Sequence, residues 1–134
     1  MALHWGRISV AAAVAAVVPL AAMALLMGSQ GSADAAAVAR DPSTLLRWVE
    51  AFVAGFAALG AAYWVARPLP SHRVLHGLIV GVLVIALDVA LLVGNGTEFH
   101  WMHIAGNFGR LESAVFGGWI AGRGVRIPSA MLSG

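Results

Sequence analysis

The sequence predicts an all-α integral membrane protein: a single membrane domain over residues 1–134, built as a bundle of four transmembrane helices. Three observations lead there. Of the 134 residues, 60% are hydrophobic and only 10% charged, and the mean hydropathy is +0.86, whereas a soluble domain of this size needs a far more polar surface. Four apolar stretches of helical length, approximately 8–27, 45–66, 74–93 and 99–122, are separated by turns containing Gly, Pro and Arg. The arginines outside these stretches gather at alternate turns.

Composition also excludes chemistry. The chain has no Cys, which removes disulfides, thiolate catalysis and Cys-ligated metals. Every basic residue is Arg, so a Schiff-base lysine and a phosphate-loop lysine are absent too. The pI near 10.5 accompanies a formal charge of only +2. A few loop arginines beside a membrane account for it, and nucleic acid is not an expected partner.

In the first stretch, Ile8 to Met27 carries no charge and is long enough to cross a hydrocarbon core of ~30 Å at ~1.5 Å per residue. His4, Trp5 and Arg7 before it, and Ser32-Ala33-Asp34-Ala35 after it, suit a secretory signal. The apolar run is longer than such signals use, so a retained span bent at Pro19 is expected. Gly28 to Arg40 forms a loop of small residues, with one helical turn at Ala35 to Val38. Asp41-Pro42 supplies an N-cap followed by proline at the first helical position. The second span runs from Leu45 to Ala66 and stops where Arg67 precedes Pro68. Pro68-Leu-Pro70-Ser71-His72-Arg73 makes a stiff basic turn. The third span, Val74 to Val93, is closed by Gly94-Asn95-Gly96. Thr97 caps the fourth, and Glu98 suits its positive N-terminal dipole.

Arg7, Arg67, Arg73, Arg123 and Arg126 then share one side, with Arg40 and Arg47 on the other. The positive-inside rule puts both termini and the middle turn in the cytoplasm. Trp5, Tyr63, Trp64 and Trp119 anchor the inner ends, Trp48 and Trp101 the outer ones. Lacking an aromatic anchor, the third span is expected to see less lipid. Tyr63-Trp-Val-Ala-Arg67 and Gly118-Trp-Ile-Ala-Gly-Arg123 echo one another, as two tandem helical hairpins about an axis along the membrane normal would.

At ~100° per residue, positions separated by 7 or 11 share a helix face. Glu50 therefore aligns with Ala54, Ala57 and Ala61, and Asp88 with Gly77 and Gly81. In the fourth span His103, Asn107, Arg110, Ala114 and Gly118 form one stripe. Small faces admit close helix approach, so the three stripes should meet. Glu50 lies ~12 Å along its span from Pro42, Asp88 ~9 Å from Gly94, His103 ~9 Å below Thr97 and Arg110 ~20 Å down. A long arginine reaches outward along its helix, which lets Arg110 bridge Asp88 and Glu50 with Asn107 and His103 above. Glu112 points ~200° away from Arg110, among Phe108, Val115 and Trp119. No arginine shares its depth, which leaves it protonated, bonded to a backbone carbonyl, or paired across an oligomer interface.

Intramembrane charges mark pathways or fix helix register, so Glu50, Asp88, Asn107 and Arg110 form the candidate ligand-binding cluster, and Glu112 a candidate interface or proton site. His100 and His103, three residues apart beside Glu98, are of types that bind Zn or Cu. His72 and His76 at the inner end could ligate haem axially only with partners from other helices, such as His4. Ser113 has no arranged base, no HExxH occurs, and no cofactor is required. Small multidrug transporters carry a glutamate in the first span, and this chain has none there. Fluoride channels carry a Thr/Ser-Phe run and quinone-reducing disulfide enzymes need cysteines, and both are missing. The expectation is transport or binding of a small ion or solute in a bacterial-type plasma membrane. The alternatives are an accessory or assembly subunit docked on a membrane partner or a second copy, and a membrane enzyme with a His/carboxylate metal site.

Overall fold

A computed structural model describes residues 4–29, 44–96 and 100–123. They form four α-helices: α1 (Trp5–Ser29), α2 (Thr44–Ala66), α3 (Arg73–Gly94) and α4 (Trp101–Gly122). The expected loop at 28–40, its helical turn, Asp41-Pro42, Thr97, Glu98 and Arg126 lie outside the described residues from position 30 onward.

Three helices, α1, α2 and α3, are long and apolar enough to cross a membrane. The fourth matches them in length, with 22 residues, but not in hydropathy. His103, Asn107, Arg110 and Glu112 lower it, so span-like composition holds for three of the four expected spans. α1 continues as one helix through Pro19, although the proline ring removes one backbone hydrogen bond there. α3 ends with Asn95 donating its N–H to Leu91 O at 3.0 Å and Gly96 donating to Val93 O at 3.1 Å. Gly96 takes the positive φ of 63° that this turn requires.

α2 and α3 each touch all the other helices, whereas α1 and α4 lie on opposite sides of that pair without meeting. Two hairpins related by a strict two-fold would make the α1–α4 and α2–α3 contacts alike, and these contacts differ. The internal echo is therefore local, at two helix ends. The helix ends nearest Trp5, Ala66, Arg73 and Gly122 are tied directly. Arg7 donates to Trp64 O at 3.1 Å and stacks 4.6 Å over the Trp64 ring, joining the start of α1 to the end of α2. The Arg73 side chain passes beside Gly122 and donates its Nε to Leu69 O at 2.6 Å. Leu69 itself is buried, holding the α2–α3 turn against the bundle. His72 closes that turn in the left-handed region, φ 58°.

The interior is made of small side chains. Ile8, Ala11, Ala12 and Ala15 of α1, Ala58, Ala62 and Val65 of α2, Val80 and Val84 of α3 and Ala114 of α4 belong to one continuous core, joined through α2 and α3. The bulky groups point outward: Val10, Val14 and Leu25 on α1, Trp48, Phe52 and Phe56 on α2, Leu78, Val82 and Leu87 on α3. Small-in, large-out is how helices pack in lipid, where close backbone approach and dispersion replace the hydrophobic drive. On α2 the buried stripe runs through Ala54, Ala58 and Ala62, with Ala57 and Ala61 only partly covered, one position round from the expected face. α3 was expected to be sheltered, but its Val74, Leu78, Val82, Leu87, Val89, Leu91 and Val93 are exposed. It lacks aromatic anchors without lacking outer surface.

Candidate functional site

Glycines set the register of the site. A Cβ on Gly117 would run into Leu59 O of α2, and one on Gly118 would lie 2.6 Å from Arg73 O of α3. Adjacent glycines thus let α4 touch two helices at once. Further along the same contact, Gly55 of α2 faces Ser113 Oγ. α2 and α4 run parallel in constant register, 55 beside 113 and 59 beside 117, which brings Glu50 level with the turn carrying Arg110. α3 runs antiparallel, with Gly77 against Ala114 and Gly118, and Gly81 against Leu111 and Ala114. Continuing that register by two turns carries Asp88 past Arg110 to the level of Asn107 and His103.

The Arg110 side chain closes that offset by leaning back toward the N-terminus of its helix, the direction in which helical side chains point. Its Nη1 lies 2.6 Å from Asp88 Oδ1 and donates to Asn107 Oδ1 at 3.0 Å. Its Nη2 lies 3.7 Å from Glu50 Oε1, an ion pair too long to be a hydrogen bond. Its Nε is buried with no partner among the described residues. Arg110 and Asn107 are both 8% exposed, whereas the Asp88 and Glu50 side chains are 26% and 39% exposed. All four residues expected to form the cluster are therefore together, in a tight half and a loose half.

The loose half opens onto a groove of about 760 Å³ between α2 and α4. Arg47, Glu50 and the aromatic residues Trp48, Phe52 and Phe56 come from α2, and Trp101, His103, Gly106, Gly109, Arg110, Glu112 and Ser113 from α4. His100 and Asp88 also line it. On its other side the cluster touches a crevice of about 20 Å³ against Ala15, Ala16, Pro19 and Leu20 of α1. Glu112 is exposed, and among the described residues it has no hydrogen-bond or ion-pair partner. It does point away from the Arg110 pairs as expected, yet it lines the same groove, which wraps round α4.

The other expected residues take more local roles. His100 is the N-cap of α4, its Nδ1 accepting from Met102 N at 3.4 Å. His103 lies beside it at the groove wall. No group of three or more His, Asp or Glu positioned to hold a metal occurs among the described residues. His76 is 2% exposed, with Nδ1 bonded to His72 O at 2.9 Å and Nε2 unpartnered. The aromatic wall escaped sequence reasoning, although Trp48, Phe52 and Phe56 recur every fourth residue on the side away from the buried alanines. Gly117 was missed as well, because only its neighbour Gly118 falls on the Arg110 stripe.

No protein-family model matches the chain, and neither a curated protein nor a solved structure shows detectable similarity to it.

Proposed function

We propose that this chain is a four-span protein of a bacterial-type plasma membrane, with both termini cytoplasmic, that binds and moves a small cation or proton at Glu50. One observation carries the reading. A single buried guanidinium faces two carboxylates and satisfies them unequally, Asp88 at 2.6 Å and Glu50 at 3.7 Å. Both carboxylates line the groove, and the surplus negative charge is on Glu50, the more exposed and more loosely held of the two.

A membrane setting for α4 is supported by the pairing of Arg110, its buried charge. Central ionised residues cost ~2.5–3.5 kcal/mol each on insertion scales, and Arg110 meets that cost with two carboxylates and Asn107. The mechanism follows from the two distances. A cation at Glu50 replaces the guanidinium as its counter-charge, and Arg110 then relies on Asp88 and Asn107 alone. When the cation leaves, Glu50 returns to Arg110. Arg110 is thus an internal counter-ion that keeps the empty site electrically tolerable in a low-dielectric surrounding.

The test is purified protein in liposomes under a pH, Na⁺ or K⁺ gradient, with an internal dye. Wild type is expected to dissipate one of these gradients, and Glu50→Gln to lose that flux while remaining folded. Absence of flux from folded wild-type protein under all three gradients overturns the reading.

A further inference from the structure

The groove is far larger than the proposed ion requires. A water molecule's share of liquid is ~30 Å³, and a bare cation needs no more than a few such volumes. About 760 Å³ instead falls within the ~300–1,000 Å³ of small-molecule sites. Both helices give the groove aromatic residues, Trp48, Phe52 and Phe56 from α2 and Trp101 from α4. A Cβ at Gly106 or Gly109 would meet nothing within 4 Å, so the α4 backbone there fronts open space against which a flat or bulky group can lie.

Charge selects the occupant. Three carboxylates, Glu50, Asp88 and Glu112, share the lining with Arg47 and Arg110, leaving one net negative charge with the histidines neutral. Arg110 is committed to Asp88 and Glu50. Glu112 is exposed and has no partner among the described residues, so it is a second carboxylate, besides Glu50, open to a cation. Aromatic faces attract cations, Trp most strongly, and an anion gains nothing from them.

We propose that the α2–α4 groove binds an organic monocation with an apolar or aromatic body, its charged centre paired with Glu112 and its body held by Trp48, Phe52, Phe56 and Trp101. This rests on the reading above and names its cargo: the organic cation occupies the groove, and Glu50 supplies the coupled ion site beneath it. Glu112, on the opposite side of α4 from the Arg110 pairs, then has a function that the Arg110 network does not give it.

Two ions of the same shape and opposite charge, tetraphenylphosphonium and tetraphenylborate, test this by equilibrium dialysis against the full chain in maltoside micelles. Saturable binding of the phosphonium is expected, with only unsaturable micelle partitioning of the borate. Glu112→Gln should weaken phosphonium binding about tenfold or more, equivalent to ~1.4 kcal/mol. Gly109→Leu should block it by filling the groove, with thermal unfolding of both variants unchanged. Equal saturable binding of the two ions, or phosphonium affinity unaltered in Glu112→Gln, overturns the proposal. So does efficient disulfide cross-linking between copies in Glu112→Cys that phosphonium does not reduce, because the groove then belongs to a partner. Flux on the same preparations separates the two readings. Glu50-dependent ion movement without phosphonium binding leaves the ion reading standing and ends this one. Phosphonium binding with flux indifferent to Glu50→Gln does the reverse.

Discussion

At the scale of single residues, the unequal treatment of Asp88 and Glu50 by Arg110 separates stability from function. Removing one partner of a buried pair typically costs ~3–5 kcal/mol, because the remaining charge is left uncompensated. Asp88 is the close partner, at 2.6 Å, so Asp88→Asn should cost about 3 kcal/mol or more in an unfolding titration in micelles. Glu50 is 39% exposed and 3.7 Å away, in the range where ion pairs contribute ~0–1 kcal/mol. Glu50→Gln should thus unfold close to wild type. Replacing all three charges together, with Arg110→Met, Asp88→Leu and Glu50→Gln, should recover most of the stability lost in Asp88→Asn while ion movement stays absent. If Glu50→Gln instead proves as damaging as Asp88→Asn, the loose contact is structural. Helical periodicity made these partners legible, since each charge shares a face with small residues. The 2.6 and 3.7 Å asymmetry was not legible, because it depends on how far α2 and α3 stand from one guanidinium.

At the scale of elements, the glycines of α4 divide by what surrounds them. Gly117 and Gly118 abut the backbones of α2 and α3, and backbone cannot move aside as a flexible side chain can. Gly117→Ala and Gly118→Ala should each destabilise by ~1–3 kcal/mol, the usual cost of overpacking a tight interface. Gly106 has open space around it, and an alanine there removes only unfolded-chain entropy. Gly106→Ala should be neutral or stabilising by up to ~1 kcal/mol. Thermal melts of the three variants in one detergent check the ordering, and a Gly117→Ala protein as stable as Gly106→Ala would contradict the register given above. The sequence marked Gly118 through its spacing from Arg110, and the Gly77-x-x-x-Gly81 motif through its form. It could not mark Gly117, whose neighbour Leu59 belongs to another helix. The shift of the α2 stripe from Ala57 and Ala61 to Ala58 and Ala62 has the same origin. A strip of alanines is small in every direction, so contacts with α1 and α3, and not side-chain size, choose the face that is buried.

At the scale of the whole molecule, the proposed topology rests on alternate turns. The chain has no native cysteine, so single cysteines report sidedness directly. With an impermeant maleimide on intact cells, Asn95→Cys should label from outside, while Ser71→Cys should label only after the membrane is opened. Labelling of Ser71→Cys from outside would invert the orientation.

By itself, the sequence determined the helical class, four helices at nearly the observed limits, and the small faces that carry Glu50, Asp88, Asn107 and Arg110. These are local consequences of apolar run length, of Gly, Pro and Arg at the turns, and of the helix period. Only the tertiary structure decided that α1 and α4 stand apart, that one carboxylate is held tightly and the other loosely, and that Glu112 shares a groove with Glu50. Each of these depends on the distance and rotation between helices, which are set by contacts among residues far apart in the chain.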